Sequence, residues 1–331
     1  MSCTKPIGRY FGLELNSFGN NNYELRLNSG RASLFLILKS IKPKKVYLPY
    51  YTCDVVKEPI DKLNIECVFY RINQKLQPLI DDQQVDADSV VIVNNYFGIL
   101  DSRMEDYYLR FGDKLIIDNS QAFFHYPDYN VNAFYSPRKF MGLPDGGFVK
   151  LNSKTSSIAS ELYKNMNVTY SHHLMEHLCK RIDLGAESAY SIFKENDRML
   201  SKEDYGIMSK LTYSLYQNID LEKIRNTRLE NFKLMHKKLN ATNKLSTLID
   251  SFEHSCPMVY PFLHKKGQSL KQNLIKYKVF VATYWPNVEK WMNDKNSIEI
   301  YLVKNLVALP IDQRLGEADV NYICELIINE L

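Results

Sequence analysis

The sequence predicts an α/β protein, with a large domain on a mostly parallel sheet and a smaller α+β domain after it. Three observations predict this. Short apolar runs alternate with helix-like segments through the first half of the chain. One run, Ser89 to Asn94, is apolar throughout between its ends, as a strand covered on both faces requires. The pattern changes after Lys150, and a length of 331 residues suits one large domain plus a smaller one. The expected division is 1–235 and 236–331, with about 25 N-terminal residues free to pack on the small domain.

The elements follow in order. Ser29-Gly30-Arg31 leads into a helix over 32–41, and Lys45 to Pro49 is a short strand stopped by proline. Residues 54–63 read as a helix with Asp54 as N-cap, which Pro59 ends or kinks. Strands are expected at 66–72, 89–94 and 114–118, with a helix at 102–110. Beyond Lys150, helices are expected at 157–165, 172–182 and 221–239; the last of these is long enough to link two domains. The final ninety or so residues read as strands at 258–262, 279–282 and 306–309, with helices at 269–277 and 317–331.

Composition excludes several classes. The net charge is +4, from 42 basic and 38 acidic residues, far from the excess of a nucleic-acid binder. No apolar run approaches the length of a membrane span. The N-terminus, Met-Ser-Cys-Thr-Lys, lacks the apolar stretch of a secretory signal. Six scattered cysteines without a C-x-x-C pair fit a reducing cytoplasm better than a disulfide framework.

Three features carry chemistry, and each falls at a strand end or a helix start, where parallel sheets bind ligands. Asn28-Ser29-Gly30-Arg31-Ala32-Ser33 opens a helix, whose free N–H groups and dipole suit a phosphate; the same turn also serves as an ordinary cap. Asp118 closes an apolar strand, where a partly desolvated carboxylate wants a cation, such as a protonated pyridine nitrogen. Gln121 follows by three residues, placed to reach a ring hydroxyl if the chain turns. The plainer alternative for Asp118 is a helix cap or an arginine pair. Third, Lys139 sits in the stiff turn Ser136-Pro137-Arg138-Lys139, ahead of Gly146-Gly147 and a strand. A lysine that bonds a carbonyl must lose its proton, and burial or neighbouring cations promote that. Ser136 can hydrogen-bond a phosphate, whereas most loop lysines are simply solvated.

The order of these features resembles the fold-type I pyridoxal-phosphate enzymes, and more closely the DegT/DnrJ/EryC1/StrS sugar aminotransferases. The resemblance rests on Asp118 with Gln121, on Lys139, and on Gly146-Gly147. Ser29-Gly30-Arg31-Ala32 is similar to the family's phosphate turn. Leu48 to Thr52, Asn95 to Gly98 and Leu306 to Pro310 are similar to three further segments, so the likeness spans nearly the whole chain.

The resemblance implies pyridoxal 5'-phosphate as cofactor, bonded to Lys139, with Asp118 on its ring nitrogen. Gly30, Arg31, Ala32, Ser136, Gln121 and Tyr51 are the further cofactor-binding residues. It also implies a cytoplasmic homodimer that moves an amino group from glutamate to a nucleotide-linked keto-sugar in polysaccharide or related biosynthesis. No metal is implied. The competing readings are a pyridoxal-phosphate enzyme for a non-sugar substrate and a degenerate relative with a binding role.

The sequence departs from the family at Arg31, in place of a small hydroxyl residue, at Asn95, in place of histidine, and at Cys53, in place of a ring-stacking aromatic. Tyr50, Tyr51 and Phe97 are the candidates to take over the stacking. The chain is also shorter than is usual for the family after Gly147. Two other patterns attract attention. His173-Leu174-Met175-Glu176-His177 matches the H-x-x-E-H zinc pattern, but a polar helix face explains it better. Cys53, Cys67 and Cys256 have no local histidine context that supports a thiol nucleophile and read as small buried hydrophobes.

Overall fold

Alternate side chains of the first-half strands point to opposite faces of one sheet, and this alternation builds two cores. The structure, a computed structural model, describes residues 13–15, 19–20, 23, 25–250 and 256–331. Through the first half the chain runs β1 (Leu25–Leu27), α1 (Gly30–Ile41), β2 (Lys45–Pro49), α2 (Lys57–Lys62), β3 (Glu66–Ile72), β4 (Pro78–Leu79) and β5 (Ser89–Asn94). It continues through α3 (Asp101–Phe111), β6 (Leu115–Asp118), β7 (Asn132–Tyr135), β8 (Gly147–Lys150), α4 (Ser153–Lys164), α5 (Glu176–Leu200) and α6 (Lys210–Gln217). The remainder comprises α7 (Leu221–Leu239), α8 (Ser246–Asp250), β9 (Val259–Leu263), α9 (Gly267–Lys276), α10 (Val288–Trp291), α11 (Ile298–Asn305), β10 (Leu306–Pro310) and α12 (Glu317–Ile328).

Val46, Leu48, Val90, Ile92, Ile116, Phe134 and Val149 join one core with α1, α2 and α4. Their neighbours Tyr47, Val91, Val93, Leu115, Ile117, Ala133, Tyr135 and Phe148 join the other, which continues into the second sheet. A strand that feeds two cores must be apolar at every position, which is why β5 and β6 read as unbroken hydrophobic runs.

Strand order in the main sheet is β1-β8-β7-β6-β5-β2-β3-β4. β3, β2, β5, β6 and β7 are all parallel. β8 runs antiparallel to β7, and β1 antiparallel to β8, so β1 points the same way as β7. The exits of β1, β2, β5, β6 and β7, together with the entry to β8, therefore lie along one edge. That edge gathers the residues singled out in the first half as candidates to bind a cofactor.

The second sheet is the antiparallel pair β9 and β10. The strand expected at 279–282 is absent: that segment makes one bridge, Ala282 to Ala308, and Phe280 is 60% exposed. The helix expected at 172–182 is also corrected. A single turn at 172–174 precedes α5, and α5 itself kinks at Gly185 (φ 82°). Pro59 does not end its element, because it sits in the first turn of α2, where no intrahelical N–H is needed. β1, β4, β7, α6, α8, α10 and α11 have no counterpart among the elements the sequence predicts.

Helix α7 packs on α12 and β9, and the division at 235/236 falls within it. The expected packing of the N-terminus on the small domain lies largely outside the described residues. Of those described, Tyr23 stacks on Phe148 at 4.4 Å, and Asn20 donates to the carbonyls of Tyr216 and Ile219. No helix among the described residues is long and apolar enough to cross a membrane.

Candidate active site

Asp118 is the last residue of β6 and is 4% exposed. Its Oδ1 accepts the Ser120 backbone N–H at 2.8 Å. Burial pushes the Asp118 carboxyl above its ordinary pKa, while the charge of Lys139 and then the Ser120 hydrogen bonds pull it back. Lys139 ends the tight turn Pro137–Lys139 that follows β7. Its Nζ donates to Ser120 Oγ at 3.0 Å. One residue, Ser120, therefore stands between the two residues expected to do the chemistry. The backbone next to the lysine is fixed from the far side: the Phe140 carbonyl accepts from Gln313 Nε2 at 2.9 Å and from the Arg228 guanidinium at 3.4 Å.

Gln121 lies on the same edge and is 3% exposed. Its Oε1 accepts the Phe97 N–H at 3.0 Å, while its Nε2 is buried without a hydrogen-bond partner among the described residues. Phe97 and Gly98 both have positive φ, 59° and 71°. A side chain at 98 would come within 2.8 Å of the Gln121 carbonyl, so this turn requires glycine.

The N-terminus of α1 lies beside the lysine turn. Ser29 caps the helix by accepting the Ala32 N–H at 3.1 Å, leaving the Gly30 and Arg31 N–H groups at the open first turn. A Cβ placed on Gly30 would be 3.6 Å from Ser136 Cβ, so Ser136 borders this turn. The Gly146-Gly147 pair has two separate reasons to be glycine. Gly146 has φ 130°, and a Cβ on Gly147 would fall 2.2 Å from the Ser29 carbonyl oxygen. Arg31 turns its guanidinium to Glu58 at 2.6 Å and to the Leu200 carbonyl at 2.8 Å. Its contribution to the turn is thus the backbone N–H, beside that of Gly30.

No protein-family model matches the sequence, and no curated protein matches it. Solved structures do. A DegT DnrJ EryC1 StrS aminotransferase from Brucella abortus superposes with a TM-score of 0.63 at 16% identity, covering 93% of this chain and 86% of the other. A sugar aminotransferase from Micromonospora echinospora gives 0.60 at 14% identity over 93% and 87%. A Streptococcus pneumoniae protein in its PLP form gives 0.62 at 15% identity over 93% and 87%. This chain has the sugar-aminotransferase fold.

Within that fold, the aromatic candidates separate. Tyr50 stacks on Phe69 at 4.8 Å. Tyr51 is fully buried with its ring 4.9 Å from Trp285 and 5.6 Å from Tyr96. Cys53 is the residue of this turn that senses Lys139: burial pushes its thiol up and the lysine charge pulls it down. The same turn is held from the second half, where Asn287 donates to the Thr52 carbonyl at 2.9 Å. The zinc pattern dissolves in this fold. His173 pairs with Glu203 at 3.1 Å, and His177 is buried against the Leu174 carbonyl and Asn196. Among the described residues no three His, Cys, Asp or Glu side chains are grouped to hold a metal.

Two contributors to this site go beyond what the sequence assigns. Ser120 lies inside the Asp-Asn-Ser-Gln element but carries no signal of its own there. Arg228 has a usable signal: it falls between Ile224 and Phe232 at four-residue spacing, a cation on the apolar stripe of α7. Buried and 2% exposed, it donates to Gln313, Met258 and Phe140, and so ties the lysine turn to the second half of the chain.

Proposed function

We propose that this protein is a pyridoxal-phosphate-dependent aminotransferase that delivers an amino group to a keto-sugar. One observation carries the reading. A lysine amine and a buried strand-end carboxylate meet at Ser120, on the sheet edge where parallel folds bind ligands. The surroundings fit the cofactor. The buried Gln121 Nε2, unpartnered among the described residues, is a donor in want of an acceptor, as a ring hydroxyl would be. The α1 first turn with Ser136 offers N–H and hydroxyl donors to a phosphate.

Pyridoxal phosphate, when bound, supplies an aldehyde for covalent attachment and a ring that absorbs carbanion charge. The chain's own residues do the rest. Lys139 anchors the cofactor and, once freed, moves a proton at the donor's α-carbon as general acid–base. Asp118 holds a proton on the ring nitrogen, a task that suits a buried acid seeking a cation. The N–H groups of Gly30 and Arg31 at the turn, with Ser136, receive the phosphate, while Ala32, expected to share this task, gives its N–H to the Ser29 cap. Tyr51 supports the turn that borders the ring. Glutamate as donor and a nucleotide-linked keto-sugar in polysaccharide or related biosynthesis as acceptor follow from the family resemblance.

The test is direct. The purified protein is expected to turn yellow with added pyridoxal phosphate, to lose that absorbance on borohydride treatment, and to be bleached by glutamate. A protein that stays colourless overturns the reading and favours a binding role without catalysis.

A homodimer is part of the same proposal. α5 carries Ile182, Leu184 and Tyr190 at 85%, 63% and 55% exposure, a run of apolar side chains that a second copy would cover. Sedimentation at micromolar concentration is expected to give twice the mass of the chain; a monomer there removes this part.

A further inference from the structure

We propose that Ser120 is a latch for the free lysine: a positioning residue that holds the Lys139 amine on the Asp118 side of the site before any ligand arrives. The inference rests on the reading of Lys139 and Asp118 as the working pair, and goes beyond it by giving the residue between them a task.

The geometry is specific. Ser120 is 9% exposed, so its hydroxyl has little access to water. A hydroxyl has one proton and two lone pairs. The Ser120 backbone N–H goes to Asp118 Oδ1 at 2.8 Å, which pins this residue against the carboxyl group. A hydroxyl lone pair faces Lys139, whose Nζ donates to Ser120 Oγ at 3.0 Å. The result is one residue that joins the two groups: its hydroxyl takes the amine and its backbone N–H serves the carboxyl. Lys139 as a residue is otherwise exposed, and Ser120 is the hydrogen-bond partner that its Nζ has among the described residues. Without that partner, a four-carbon stem on an exposed turn would sample many rotamers.

The experiment uses the cofactor-free protein, so that its outcome does not depend on catalysis. Trace acetylation with acetic anhydride at neutral pH, read by peptide mass spectrometry, gives the labelling rate of Lys139 relative to the exposed Lys237. Ser120→Ala removes one oxygen and keeps the backbone N–H that serves Asp118. It is expected to raise Lys139 labelling roughly three- to tenfold, the effect of one lost hydrogen bond at a partly open site. Ser120→Thr retains the hydroxyl and is expected to label at the wild-type rate.

An alanine variant that labels at the wild-type rate, with unchanged melting, overturns the latch. So does a threonine variant that labels as fast as alanine, an outcome that stays readable if the alanine variant melts early. A separate borohydride-trapping arm with pyridoxal phosphate keeps the two readings apart. Failure of the wild type to take up cofactor sinks the aminotransferase reading and leaves the labelling comparison intact.

Discussion

Lys139→Ala is expected to lose covalent attachment of pyridoxal phosphate altogether and to lower transamination by roughly 10²- to 10⁴-fold, the range a positioned general acid–base supplies. The wild type treated with cofactor and borohydride should carry the added mass on the peptide containing Lys139, and the variant should carry none. The fold should survive, because the Lys139 side chain hydrogen-bonds to Ser120 and the residue is otherwise exposed. The turn is kept by Pro137, by the Phe140 N–H on the Pro137 carbonyl at 2.9 Å, and by Arg228 and Gln313 on the Phe140 carbonyl. Melting within a degree or two of wild type would then assign the loss to chemistry rather than to unfolding. Borohydride-fixed cofactor on another lysine, or unimpaired turnover in the variant, would move the active site elsewhere.

How much of this site can be read from the residues depends on the range of each interaction. Asp118 and Lys139 are legible because their signals are local: an acid ending an apolar strand, and a lysine in a proline turn ahead of two glycines. The reasons for those glycines are not legible. Gly147 is required by the Ser29 carbonyl, which lies far away in the chain, and only the pairing of β1 with β8 brings them together. β7 escapes notice because Asn132-Ala133-Phe134-Tyr135 is four residues long and opens on a polar side chain; its strand character comes from being sandwiched between β6 and β8.

The segment 279–282 misleads in the other direction. Val279-Phe280-Val281-Ala282 has strong β propensity, but the second sheet closes with β9 and β10, and among the described residues the segment pairs only at Ala282. Ser120 illustrates the general limit. Its partner Lys139 is nineteen positions away, and no spacing rule links a residue after one strand to a residue after the next. Parallel topology does, because it delivers successive strand ends to the same edge.

Asp118→Asn separates function from stability. Activity is expected to fall by roughly two to three orders of magnitude, since asparagine cannot keep a ring nitrogen protonated and the electron-sink role depends on that proton. Stability of the cofactor-free protein should move the other way. Burial raises the Asp118 carboxyl above its unfolded value, despite the opposing charge of Lys139. A raised acid binds its proton more tightly in the folded state. Its contribution to stability is therefore full below the unfolded pKa and is lost as pH rises through the folded pKa.

Above its unfolded pKa the buried acid at 118 thus weakens the fold of the wild type, and asparagine relieves this while keeping an oxygen for the Ser120 N–H. The expected result is a higher melting temperature for the variant at neutral pH, with the gap closing as the pH is lowered toward the carboxylate range. Melting curves of both proteins without cofactor, taken across that range, decide the matter. A variant that is both inactive and less stable at neutral pH would mean that Asp118 is held by a charge partner strong enough to outweigh its burial. In that case its role would be structural pairing with Lys139 rather than readiness for a ring cation.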